Sequence, residues 1–174
     1  YATQLPGPWP AIPVYEHPDW TRAKLGTVFG VTVDGDGNIY VAHSAIYQLD
    51  KTGTVGGGGA GAIYKLDSAT GTPSLFCKLP NVETCAPAAS CAPGLGNLTY
   101  SCAHDCIYCT DFEDGRIYRI AMNGTVLEAY NFAAAAIQSP LPLPTDAPGF
   151  APYGALTWAV GVSGDRLYFS VVNE

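Results

Sequence analysis

Three stretches of the same shape predict an all-β chain of four-stranded antiparallel blades, the architecture of a β-propeller that is incomplete in this chain. In the first, Phe29–Asp34 (FGVTVD) runs into Gly35-Asp36-Gly37-Asn38 and then Ile39–Ala42 (IYVA). The second is Leu98–Ser101 (LTYS), a turn at Ala103-His104-Asp105, and Ile107–Thr110 (IYCT). The third is Ala159–Val162 (AVGV), Ser163-Gly164-Asp165, and Leu167–Ser170 (LYFS). Each sets short β-branched or aromatic runs on either side of Gly, Asn, Asp or Ser, residues suited to tight hairpin turns.

A second kind of hairpin also repeats. Ile63–Leu66 (IYKL) precedes Asp67–Gly71, and Ile117–Ile120 (IYRI) precedes Asn123-Gly124. Alternating the two kinds builds units over about 28–80 and about 95–132, with a third from about 153 that stops mid-unit at 174. The repeat interval exceeds the ~40–50 residues of an ordinary blade, so loops are inserted. The candidates are 51–61, 82–94 and 133–150. A ring closes with about four to eight blades, which disposes of exposed strand edges. The expectation is a fragment: the chain continues past Glu174 in the intact protein, or another copy covers the open edge.

Residues 1–24 read differently. Pro6, Pro8, Pro10, Pro13 and Pro18 alternate with Trp9, Tyr15 and Trp20. Proline fixes φ and withholds a donor, which predicts an extended arm ahead of a partial propeller over 25–174. The arm's aromatics can pack on the domain that follows.

Bulk properties narrow the function. At 174 residues the chain is 48% hydrophobic and 13% charged, enough for a core and too apolar for disorder. Gly 20 and Pro 14 favour short strands over long helices. No apolar run approaches the ~20 residues of a membrane helix. A net charge of −7 with Lys+Arg of 8 leaves no basic footprint for nucleic acid or anionic lipid. The first residue is Tyr1, not Met, as expected of a processed or trimmed product.

The six cysteines, Cys77, Cys85, Cys91, Cys102, Cys106 and Cys109, form one cluster. An even, local set predicts disulfides and an oxidising compartment. Many pairings are open; one joins Cys102 to Cys106, Cys85 to Cys91, and Cys77 to Cys109. The sequons at Asn97 and Asn123 agree with an extracellular location. Cys102-x3-Cys106-x2-Cys109 also matches the spacing of an iron–sulfur loop in radical S-adenosylmethionine enzymes. Those enzymes place it in an α/β barrel, whereas Cys109 lies in a strand pattern here, so disulfides are the expectation.

The Gly30–Val41 pattern resembles NHL-type repeats of six-bladed propellers. Gly61–Leu66 (GAIYKL), Gly94–Ile120 (GLGNLTYSCAHDCIYCTDFEDGRIYRI) and Tyr153–Val171 (YGALTWAVGVSGDRLYFSV) resemble, more narrowly, a propeller of large secreted bacterial surface proteins. DFEDGRIYRI, at 111–120, is the most specific part. The departures are Cys102, Cys106 and Cys109, plus the Ala/Pro-rich insertions. The resemblance implies a role in surface architecture and no catalytic residues.

The remaining candidates are weaker. Asp34 and Asp36 sit in a calcium-loop-like DGDGN run that lacks the EF-hand's Gly and Glu, so a hairpin turn is expected, with a looser structural Ca2+ site as the alternative. The Gly56–Gly59 run lacks the Lys and Ser/Thr of a phosphate loop. Ser139–Thr145 reads as a polyproline-II spacer. His43 and Asp111 follow the second strands of their units, where gluconolactonase-like propellers hold a metal at the ring mouth. This supports a metal-dependent, lactonase-like hydrolase using Asp111, Glu113 or Asp114. Tyr153, Trp158 and Tyr168 are candidate sugar-stacking platforms. The leading expectation is a non-catalytic structural or adhesive module of an extracellular or cell-surface assembly, such as a glycosylated surface filament, with the lactonase-like hydrolase and a carbohydrate-binding propeller as alternatives; its expected partners are other copies, the rest of a larger surface protein, or glycans.

Overall fold

The computed structural model describes residues 15–45, 53–79, 94–132, 135–138, 151 and 154–172. Its strands form three antiparallel sheets. The first contains β1 (Val28–Val33), β2 (Ile39–His43), β3 (Ala62–Leu66) and β4 (Pro73–Lys78), paired in chain order. The second contains β5 (Leu95–Ser101), β6 (Cys106–Asp111), β7 (Arg116–Ala121), β8 (Val126–Asn131) and β9 (Ala136–Gln138). The third is the pair β10 (Leu156–Ser163) and β11 (Arg166–Val172).

The turn chemistry closes these hairpins. Asp34 Oδ1 accepts the backbone N–H groups of Asp36 and Asn38, each at 2.9 Å, and Val33 then pairs with Ile39. Asp67 Oδ1 does the same for Ala69 at 3.1 Å and Thr70 at 2.9 Å. Asn123 Oδ1 takes the Thr125 N–H at 3.0 Å. These side chains supply the local acceptors that tight turns favour.

The Ile-Tyr repeats set the core by alternation. Tyr40, Ala42, Ile63 and Cys77 project from the first sheet toward Leu98, Ile107, Cys109, Tyr118 and Ile120 of the second, forming one buried cluster. The other face of the first sheet buries Val41, Tyr64 and Leu66 under Trp20, Leu25 and Val55. The first strands of the three sheets lie side by side. A Cβ on Gly30 would stand 2.4 Å from the Gly96 carbonyl oxygen, and one on Gly96 would stand 2.4 Å from that of Trp158. Only glycine permits so close an approach of backbones. Cross-sheet hydrogen bonds reinforce it: Tyr100 N–H to Thr32 Oγ1 at 3.0 Å and Asn97 Nδ2 to the Val160 carbonyl at 3.3 Å.

Several features differ from the sequence expectations. The second unit continues past 132, because β9 adds to the edge of β8 with Tyr130 opposite Ile137. The described end of the N-terminal segment is no simple extended arm. Tyr15 and Trp20 donate to the Thr70 and Gly71 carbonyls at 2.9 and 2.8 Å, and α1 (Arg22–Leu25) follows. Pro6, Pro8, Pro10, Pro13, Trp9 and the 139–145 stretch lie outside the described residues.

The disulfide scheme also needs correction. Cys77, Cys102, Cys106 and Cys109 carry free thiols, so neither Cys102–Cys106 nor Cys77–Cys109 is formed. The register puts Ser101, not Cys102, opposite Cys106, and Cys102 is exposed in the turn beyond the ladder. Cys77 and Cys109 share the buried cluster, where desolvation raises both thiols, to about 11 for Cys77, and keeps them protonated. Cys85 and Cys91 lie outside the described residues.

Candidate functional site

The densest group of titratable side chains lies at the β6–β7 turn. β6 delivers Asp111, the turn carries Glu113 and Asp114, and β7 begins with Arg116 and reaches Tyr118. Asp111 Oδ1 accepts the Glu113 N–H at 2.9 Å, and Gly115 N–H returns to the Asp111 carbonyl at 3.0 Å. Asp114 is the centre of a network. Its Oδ1 accepts the Arg116 N–H at 2.8 Å, and its Oδ2 accepts the Arg116 guanidinium at 3.1 Å and the Tyr118 hydroxyl at 2.5 Å. From the third sheet, the Thr157 hydroxyl lies 3.1 Å from the Arg116 carbonyl and 3.3 Å from that of Asp111.

The group is sealed from solvent. Asp111 is 0% exposed and Glu113 1% exposed, and among the described residues Asp111 Oδ2 and both Glu113 carboxylate oxygens take no hydrogen bond. Desolvation, followed by the Asp114 charge, raises the Asp111 carboxyl well above its usual range and lifts Glu113 to about 7. Burial likewise raises Asp114, against the opposing pull of Tyr118 and Arg116. A buried acid without donors favours its neutral form.

This has a pH consequence. Glu113 binds its proton more tightly in the folded state, so its contribution to stability is complete below 4.5 and is lost as pH rises through about 7. Urea unfolding across that window is expected to show a falling midpoint, and Glu113→Gln should flatten the fall. A midpoint that rises with pH, or an unchanged slope in the variant, would contradict this assignment.

His43 holds the position in the first sheet that Asp111 holds in the second. Val41 opposes Tyr64 as Cys109 opposes Tyr118, and Ile39 opposes Leu66 as Ile107 opposes Ile120. The two residues do not converge on one site. His43 is fully buried in the first sheet, with Nδ1 2.9 Å from the Gly59 carbonyl and Nε2 without a partner among the described residues. Among the described residues, no three His, Cys, Asp or Glu side chains are arranged to hold a metal ion.

The other candidates are scattered. Asp34 is engaged as a turn cap: besides the two N–H groups, its Oδ2 accepts Asn38 Nδ2 and the Tyr40 hydroxyl, both at 2.9 Å. Burial opposes its ionisation, but these hydrogen bonds prevail and hold it below the usual range. Asp36 is exposed beside it. Trp158 is no open platform, since Phe29 and Phe112 pack on it with ring centroids at 4.4 and 5.3 Å. Tyr168 is 55% exposed on β11, and Tyr153 lies outside the described residues. Cys106 and Cys109, three apart on one strand, project from opposite faces of β6, so they do not converge with Cys102 on a cluster.

The two sequons have unequal access. Asn123 is exposed at the β7–β8 turn, whereas Asn97 sits in β5 with its amide donated to Val160. Peptide mapping of native material is expected to find any N-glycan at Asn123 and none at Asn97; occupancy of Asn97 alone would contradict this reading.

The Arg116–Tyr118 part of the network was missed by motif reading. Its signal is the alternation of Asp114, Arg116 and Tyr118, which places them on one face of the strand entrance.

No family model and no curated protein matches the chain. Among solved structures it is similar to a streptogramin B lyase at 23% identity, covering 82% of this chain and 33% of that one, with a TM-score of 0.45. It is also similar to virginiamycin B lyase from Staphylococcus aureus at 14% identity, covering 86% of this chain and 36% of that one, with a TM-score of 0.50. The chain thus spans about a third of the length of these structures. At such identity the likeness to virginiamycin B lyase shows the fold alone: an all-β, partial propeller of antiparallel blades.

Proposed function

We propose that this chain is a non-catalytic structural module of an extracellular or cell-surface assembly, with its end blades packed against further blades. The observation that carries this reading is the state of the two ends. Gly30 and Thr32 of β1 turn toward the second sheet, so Val31 and Val33 turn away from it, at 55% and 51% exposure. Among the described residues, the cover supplied by Trp20, Leu25 and Val55 reaches Val41, Tyr64 and Leu66 but leaves Val31 and Val33 exposed. At the opposite end, β11 has no outer strand among the described residues, and Tyr168 and Val172 are exposed. An apolar face and an unpaired edge are features that proteins normally cover.

The two ends differ, so packing one on the other is head-to-tail. Such contacts close into a ring or run on as a filament. The covering blades belong to the rest of a larger surface protein or to other copies. The NHL-like resemblance and the accessible Asn123 sequon support a glycosylated surface role; the free thiols withdraw the disulfide support for it. The sealed Asp111 and Glu113 give the lactonase-like alternative little to work with, because neither reaches solvent.

Sedimentation equilibrium tests the reading. The chain is expected to associate with increasing concentration, and Val31→Asp/Val33→Asp should weaken association at least about tenfold, about 1.4 kcal/mol, with the fold retained by circular dichroism. A compact monomer at all concentrations, indifferent to the substitutions, would overturn it.

A further inference from the structure

Ile107, Cys109, Tyr118 and Ile120 of the second sheet share one face, and the first sheet covers it with Tyr40, Ala42, Ile63 and Cys77. Leu98 and Tyr100 of β5, opposite Cys109 and Ile107, lie under the same cover, and Leu98 is only 2% exposed.

The first sheet carries this face in the same register. Ile39, Val41, Tyr64 and Leu66 match Ile107, Cys109, Tyr118 and Ile120. Val31 and Val33, opposite Val41 and Ile39, match Leu98 and Tyr100. Here the cover among the described residues is residues 15–25 together with Val55: Trp20 and Leu25 seat on Val41, Tyr64 and Leu66. Val31 stays 55% exposed where Leu98 is sealed. The segment thus stands where a neighbouring blade would pack, and fills only part of that place.

Its hold is light. Trp20 and Leu25 reach the sheet, while Thr21, Arg22, Ala23 and Lys24 between them are exposed. Tyr15 and Trp20, edge-on at 5.4 Å, tie the segment to the β3–β4 turn by donating to the Thr70 and Gly71 carbonyls. Gly26 joins it to β1 at φ +74, a conformation open to glycine and suited to a hinge. A blade seated as the first sheet sits on the second would bury Val31 and Val33 as well, and the larger apolar area removed from water favours it over the segment.

We propose that residues 15–25 form a displaceable strap, and that a second copy of this chain packs its third sheet on the first sheet only when the strap leaves. The third sheet offers the matching face: Phe169 packs on Tyr130 and Phe132, so Tyr168 and Val172 turn outward, and both are exposed. The inference rests on the head-to-tail association proposed above and supplies its control.

Sedimentation and deuterium exchange on the full chain test it together. Trp20→Ala is expected to tighten self-association about tenfold, about 1.4 kcal/mol, and Tyr15→Ala, outside the core, to tighten it less. Adding Val31→Asp/Val33→Asp should abolish the gain. Where copies associate, the Leu25 and Gly26 amides, bonded at 2.8 Å to the Thr21 and Arg22 carbonyls, should exchange faster. If Trp20→Ala does not fold, Tyr15→Ala and the exchange decide. Association that Val31 and Val33 control, with the strap amides still protected and neither strap variant tightening it, overturns the strap and leaves the module reading standing. No association of any form overturns both.

Discussion

Gly96→Ala is expected to be among the most damaging single substitutions in the chain, costing about 3 kcal/mol, the upper end for overpacking. The added Cβ would stand 2.4 Å from the Trp158 carbonyl oxygen and 2.5 Å from Thr110 Oγ1. Neither atom can easily withdraw. The Trp158 carbonyl accepts the Thr110 hydroxyl at 2.5 Å, and Thr110 Oγ1 also accepts the Asn97 N–H at 3.1 Å. The methyl group therefore meets β10 and β6 together, and relief requires the third sheet to move away from the second. At this chain length the cost corresponds to a melting point lower by roughly 6–12 °C. Gly161→Ala is the control. It lies on β10 with nothing within 4 Å of its Cβ position, so the same change there should be neutral or slightly stabilising. Equal losses at the two positions would show that the close backbone contact does not hold the blades together.

Asp114→Ala is the second large effect, and two opposing terms decide its sign. Removing one of three neighbouring acids relieves repulsion on Asp111 and Glu113, which both feel its charge. The same change takes away one carboxylate paired with Arg116, whose side chain is 4% exposed, and an acceptor of the Tyr118 hydroxyl. Disrupting a buried pair by deleting one partner costs up to about 3–5 kcal/mol, the upper end applying where the remaining charge is left uncompensated. Asp111 and Glu113 escape most of the repulsion by holding protons, so the loss around Arg116 prevails. Chemical denaturation should show a clear destabilisation of up to that size, and Asp114→Asn, which keeps an oxygen acceptor, a smaller one. A neutral or stabilising Asp114→Ala would mean that repulsion among the acids dominates the turn.

The strand pairs were legible because their signals are local. Val33 and Ile39 flank a turn that Asp34 caps, and the Ile-Tyr repeats alternate at the period of the pleat, so hairpins and core positions could both be read from short windows. β9 could not. Ala136–Gln138 has no strand signature of its own and becomes a strand by pairing with the free edge of β8. The thiols show the same limit. Cysteine spacing suggested Cys102–Cys106, but the register put Ser101 in the position facing Cys106. The candidate site was half legible: DFEDGRIYRI contains all three acids, yet Thr157 and Ala151, which hydrogen-bond the backbone carbonyls of Asp111 and Glu113, arrive from distant parts of the chain.

Electron cryo-microscopy of the native particle tests the central claim most directly. The account expects blade density packed on the outer face of β1, over Val31 and Val33, and strand density paired to the outer edge of β11. A stable particle of this chain alone, with that face and that edge both bare, would contradict it.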